Sequence, residues 1–201
     1  MPLRHLIAMA SAGLLIAAMP LCSMQAQAKP ATTKATTTRE DSIQADSKFI
    51  REATADNLLE VRLGELAERK ATNPTVKQFA QRMVTDHQKM EDQWTDMASK
   101  HGMPFQPGLG RLHQEKLDRL QRADQQAFDR GYTTAMIRNH MDDVTYFKNE
   151  GEAVHSAPVR KLVGYGLPLL QDHLMSARQV GKQVGVDGAV VAQSRHEAGR
   201  H

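Results

Sequence analysis

The chain has little to crosslink it and nothing to thread through a membrane. Its 201 residues include one cysteine, Cys22, so no internal disulfide can form in any redox compartment. The longest apolar run, Leu6 to Ala18, falls short of the ~20 residues a helix needs to span a bilayer. No integral membrane span is expected. Aromatic residues are only 4%, so the core must be built chiefly from aliphatic side chains and methionine. No segment alternates with period two for long enough to argue for a sheet. Phosphate-cradling glycine motifs and a serine nucleophile elbow are missing as well, which leaves an enzymatic reading with little support. The net charge is +3, too small to point to nucleic acid.

What is present starts with an export signal. Arg4 and His5 precede the apolar run, and small residues at Ala26 and Ala28 follow it, the three parts of a secretory leader. Residues 1–28 are therefore expected to be a signal peptide cleaved after Ala28, placing the protein in the periplasm or cell envelope. Cys22 follows Met19, Pro20 and Leu21, where a lipidation site would have small residues, so no lipid anchor is expected. Residues 29–46, rich in threonine, read as a flexible linker, 47–185 as a helical bundle, and 186–201 as a flexible tail.

Inside the bundle, a first helix is expected over about 47–71. Asn73 and Pro74 then form an N-cap and first-turn pair that opens a second, ending at Gly102 and Pro104. Val76, Phe79, Met83, His87, Met90, Trp94 and Met97 recur at spacings of three and four, the stripe a bundle helix buries. A third helix is expected over 111–150, breaking near Gly131. A fourth opens at Ser156 and Pro158 and runs to about Val184, bent or interrupted around Gly164, Gly166 and Pro168.

An internal repeat places three histidines. FAQRMVTDH ends at His87 and YTTAMIRNH at His140; each histidine has an aromatic eight residues before it, a methionine four before, and an aromatic seven after. A weaker copy, YGLPLLQDH, ends at His173, with Tyr165 in the first aromatic position and Val180 in place of the last. Offsets of four, seven and eight return to one helix face, so each imidazole is expected in the buried stripe. On the first helix Glu60 shares a face with Ala53, Asn57, Gly64, Ala67 and Ala71, and a buried carboxylate needs a partner.

The stretches FIREATADNLLEVRLGELA, VKQFAQRMVTDHQKM, FDRGYTTAMIRNH and LPLLQDHLMSA resemble the successive signatures of domain-of-unknown-function family DUF4142, over about Phe49 to Ala177. The resemblance implies an all-α, ferritin-like four-helix bundle, bacterial and exported, of a kind often labelled outer membrane protein. It also implies that Glu60, Asp86, His87, His140 and His173 fall on the family's characteristic polar positions. The Glu-x-x-His motif of di-iron bundles is missing, since Val84, Ile137 and Leu170 stand three residues before the histidines, and a ferroxidase centre is not expected.

Three neutral imidazoles and a carboxylate are suitable ligands for zinc, iron or copper, so Glu60, His87, His140 and His173 are the candidate metal ligands. The alternative is a buried Glu and His hydrogen-bond network that only fixes the fold of a non-catalytic structural or stress-related envelope bundle. Met83, Met90 and Met97 flank His87 in a way that would suit reduced copper, though the same spacing serves an ordinary core. Asp86, Asp142, Asp143, Glu150 and Asp172 are expected to face solvent or cap neighbouring charges, with Asp143 and Glu150 as reserve ligands. The partner would be another envelope protein or a second copy of the chain.

Overall fold

Cap chemistry sets where the helices begin. Asn73 Oδ1 accepts from the Thr75 N–H at 2.8 Å and the Val76 N–H at 3.4 Å, with Pro74 in the first turn. Ser156 Oγ accepts from the Val159 N–H at 3.4 Å. Each side chain satisfies donors that the first turn leaves without an intrahelical acceptor. The computed structural model describes residues 33–103 and 108–186, with side chains from Glu40 onward. The expected signal peptide, Cys22 and residues 187–201 of the expected tail lie outside the described residues.

Among the described residues five helices follow: α1 Thr33–Lys70, α2 Pro74–His101, α3 Gly110–Arg122, α4 Gln125–Asn149 and α5 Ala157–Val184, with a 3-10 turn at Gly151–Ala153. No strand occurs among the described residues, and none of their helices is long and apolar enough to cross a membrane. The all-α helical bundle expected from the periodicity is thus what the chain forms. Helices α1, α2, α5 and α4 pack in that cyclic order, so α2 and α4 face one another across the centre.

Two apolar clusters fill the two ends. One contains Leu59, Leu63, Phe79, Met83, Phe128, Tyr132, Met136 and Val180; the other Phe49, Ile50, Met90, Trp94, Phe147, Val159 and Leu170. Following each helix from one cluster to the other shows that α2 and α4 run parallel, while α1 and α5 run the opposite way. A parallel pair needs a crossover, and α3 supplies it, packing along α1 with Leu120 in the first cluster.

Parallel direction explains the repeat. Equal offsets from His87 and His140 meet level by level: Phe79 and Tyr132 ring centroids are 6.3 Å apart, His87 and His140 5.6 Å, Trp94 and Phe147 6.3 Å. The weaker copy on α5 runs antiparallel and its offsets invert. Val180 therefore joins Met83 and Tyr132 instead of Trp94, and Tyr165, expected on the buried stripe, is exposed.

Three helix boundaries differ from expectation. The break in the third helix falls at Ala123 and Asp124, because Asp124 Oδ1 caps a new helix by accepting from the Ala127 N–H at 2.7 Å; Gly131 lies inside α4. The stretch read as a linker over 29–46 is helical from Thr33. Asp46 is buried, and its carboxylate accepts from the backbone N–H groups of His155 at 2.8 Å and Ser156 at 2.9 Å. With that anchor fixed, each further residue adds a hydrogen bond without a new nucleation cost. Finally, α5 runs unbroken through Pro168.

Close helix approach depends on two glycines. A Cβ on Gly64 would lie 2.7 Å from a Val84 methyl and 3.2 Å from the Ala80 carbonyl oxygen; one on Gly166 would lie 2.7 Å from the Phe147 ring. The first draws α1 against α2, the second α5 against α4.

Candidate metal centre

Between the two apolar clusters lies one polar layer. Glu60 from α1, His87 from α2, His140 from α4 and His173 from α5 are each about 1% exposed or less. Their positions follow from the stripes: His87 sits between buried Met83 and Met90, His140 between Met136 and Val144, His173 between Leu170 and Ala177. One nitrogen from each ring lies within 4.8 Å of those from the other two.

Each imidazole has one nitrogen committed to an acceptor. Asn57 donates its amide to the His87 carbonyl at 3.0 Å, which turns Asn57 Oδ1 toward His87 Nδ1 at 2.9 Å. His87 Nδ1 therefore carries the proton and Nε2 the lone pair, a tautomer assigned from partners. His173 Nε2 lies 2.9 Å from Asp86 Oδ2, so it is the donor and Nδ1 bears the lone pair. His140 Nδ1 donates toward the Met136 carbonyl at 2.9 Å and Glu60 Oε1 at 3.1 Å, while its Nε2 is buried without a partner.

The consequence is a cluster of acceptors. His87 Nε2 faces His173 Nδ1 at 3.2 Å and Glu60 Oε2 at 2.9 Å. Two lone pairs and a carboxylate oxygen meet, and the neutral tautomers that satisfy Asn57 and Asp86 place no proton among them. The 3.2 Å separation is close to the about 3.4 Å edge of a tetrahedron with ~2.1 Å metal–nitrogen bonds. One nitrogen each from His87, His140 and His173 lies close enough to the others to share a metal ion.

Electrostatics agree. Burial lowers His140 below its ordinary value, with Glu60 only partly opposing it. Burial, together with His87 and His140, pushes His173 down to about 2. Both rings are therefore neutral, the form that ligates metals. Asp143 is pushed well above the ordinary carboxylate range, first by burial and then by Glu60, Asp56 and Asp142.

All four residues singled out from the sequence converge. Asn57, grouped there with small residues, is a buried anchor for His87, and only its place three residues before Glu60 on the same helix hinted at this. Asp86, expected to face solvent or cap a neighbouring charge, pairs with Arg82 at 3.2 Å and also orients His173 at 2.9 Å. Arg82 also pairs with Asp172 and donates to Ser176 Oγ at 3.1 Å, tying α2 to α5. Asp143, expected to face solvent or cap a neighbouring charge and kept as a reserve ligand, is buried. Met83, Met90 and Met97 belong to the apolar clusters.

No curated protein matches this chain. Among solved structures it is similar to a DUF305 fragment from Deinococcus radiodurans, with a TM-score of 0.60 and 14% identity, over 70% of this chain and 95% of that one. That likeness concerns the fold alone. The family model described as "Domain of unknown function (DUF4142)" matches residues 27–180, which takes in every helix that contributes to the polar layer, and the chain belongs to that family.

Proposed function

We propose that this is an exported protein of the periplasm or cell envelope that holds one transition-metal ion, zinc, iron or copper, among Glu60, His87, His140 and His173. The observation that carries this reading is the meeting of His87 Nε2, His173 Nδ1 and Glu60 Oε2 without a proton donor between them. A bound ion would supply the positive charge that Glu60 lacks. Asn57 and Asp86 fix two of the rings so that little ordering remains to be done when the ion arrives. Four protein ligands in a buried layer fit holding or buffering better than catalysis, which needs an open coordination position.

A second reading has its own observation. Glu60 lies within 3.1 Å of both His140 Nδ1 and His87 Nε2, so an added proton on His87 would make the layer a self-sufficient ion pair that only fixes the fold. Metal content separates the two. Protein purified from the periplasm without chelator should carry one ion per chain, and chelation should lower its melting temperature, because a ligand bound only by the folded state stabilises it. A metal-free protein whose melting temperature ignores zinc, iron and copper would establish the second reading. Export is tested by N-terminal sequencing of the same material, which should begin at Lys29.

A further inference from the structure

The four ligands are buried, so an ion needs a way in. A pocket of about 550 Å³ opens to solvent beside α1 and α4, and Glu60 forms part of its wall. A much smaller cavity of about 10 Å³, lined by His87, Asn57 and Trp94, shares Asp56, Glu60 and Asp143 with it. Those three residues line both spaces and lie between the solvent-open pocket and His87.

We infer that this pocket is the uptake route by which a hydrated divalent cation reaches the histidines, with Asp143 the inner carboxylate that receives it and hands it to Glu60. This rests on the metal-binding reading. Five carboxyl groups line the pocket, from Asp56, Glu60, Asp142, Asp143 and Glu150, with the ammonium of Lys116 in the same wall, Lys48 3.9 Å from Glu150 and His113 2.9 Å from Asp56. A cleft lined by one sign of charge concentrates counter-ions and raises their association rate. The order is graded by depth: Asp142 is exposed, Glu150 and Asp56 half-buried, and Asp143 and Glu60 buried.

Two polar groups in the wall point to a hydrated ion. Glu60 oxygens have no partner besides the imidazoles. Asn139, also buried, turns its oxygen toward Lys116 Nζ at 3.4 Å and leaves its amide nitrogen without an acceptor. An amide donor beside acidic groups can hold a water carried by the ion while the carboxylates take the ion itself. Lys116, exposed in the same wall, is a tethered cation that an incoming ion displaces.

The test is the rate of Co2+ uptake by the chelator-stripped full chain, followed in a stopped-flow instrument through the visible absorption that appears on imidazole coordination. The association rate constant should fall with ionic strength. Asp143→Asn should lower it about tenfold with one ion still bound at saturation, and the surface double variant D142N/E150Q should lower it and flatten its salt dependence. Asp96→Asn, in a different groove, should leave the rate unchanged. If Asp143→Asn loses helical circular dichroism, the double variant decides. Unchanged rates in a variant set that still binds Co2+ overturn the route while leaving the metal site intact; a wild-type chain that takes up no Co2+ overturns the metal site and the route together.

Discussion

His87 Nε2 and His173 Nδ1 lie 3.2 Å apart with their other nitrogens already committed as donors to Asn57 and Asp86. Two lone pairs held at this distance in a buried layer repel unless a cation comes between them. Two helices packed side by side, α2 and α5, hold them there, and Arg82 locks that pair by reaching Asp86, Asp172 and Ser176.

Replacing His87 or His140 by Ala should destabilise the protein by about 1–3 kcal/mol in either reading, because Glu60 loses a partner in a buried site. Stability therefore does not discriminate. Elemental analysis does: both variants should lose the ion, whereas His101→Ala and His155→Ala should retain one per chain. Retention of full metal content by His87→Ala with its helices intact would remove it from the ligand set.

Asp86 does not need to touch the ion to matter. Its carboxylate fixes the His173 tautomer, and loss of such an acceptor typically weakens metal affinity by about 10- to 100-fold. Asp86→Ala should show that loss in a competition titration against a chelator, with saturation still at one ion.

Acid should weaken the metal-free fold. His140 is held below its ordinary 6.5 and His173 at about 2, so as pH falls through 6.5 the unfolded chain takes up protons at both histidines before the native state does. Stability rises with pH wherever the unfolded state binds more protons. Asp143 acts in the opposite sense: its carboxyl is raised well above 3.8, so it releases a proton on unfolding. Two histidines that take up protons on unfolding outweigh one carboxyl that releases one, so stability should fall as pH drops below 6.5. Urea midpoints measured at pH 7, 6 and 5 should decline; a midpoint that stayed level would show that Asp143 or another group cancels both histidines.

The start of α1 separates two effects that share one stretch of chain. Asp46→Ala removes the acceptor for the His155 and Ser156 N–H groups and should lower stability by about 1–3 kcal/mol. Deleting residues 29–45 should change the melting temperature little, since the helix there is mostly exposed from Glu40 to Ala45. Thermal unfolding followed by circular dichroism checks both.

By itself the chain determined its helical class, two of its helix starts and the four residues of its polar layer. Those properties are local. Asn73 with Pro74 and Ser156 with Pro158 act within one turn of helix, and a stripe at spacings of three and four puts His87, His140 and His173 inside whatever bundle forms. Tertiary structure decided the rest. The matching offsets around His87 and His140 meet level by level only because α3 carries the chain back and leaves α2 parallel to α4; the copy on α5, running the other way, exposes Tyr165 and moves Val180 to the opposite cluster. The linker became helix because Asp46 found its acceptor role more than a hundred residues along the chain, at His155. Asp86 and Asp143 sit one residue before a histidine and three residues after one, on flanks that periodicity cannot assign to solvent or core. Which side they fell on depended on what the neighbouring helix presented: His173 and Arg82 drew Asp86 into the site, and the packing of α1 against α4 buried Asp143 beside Glu60.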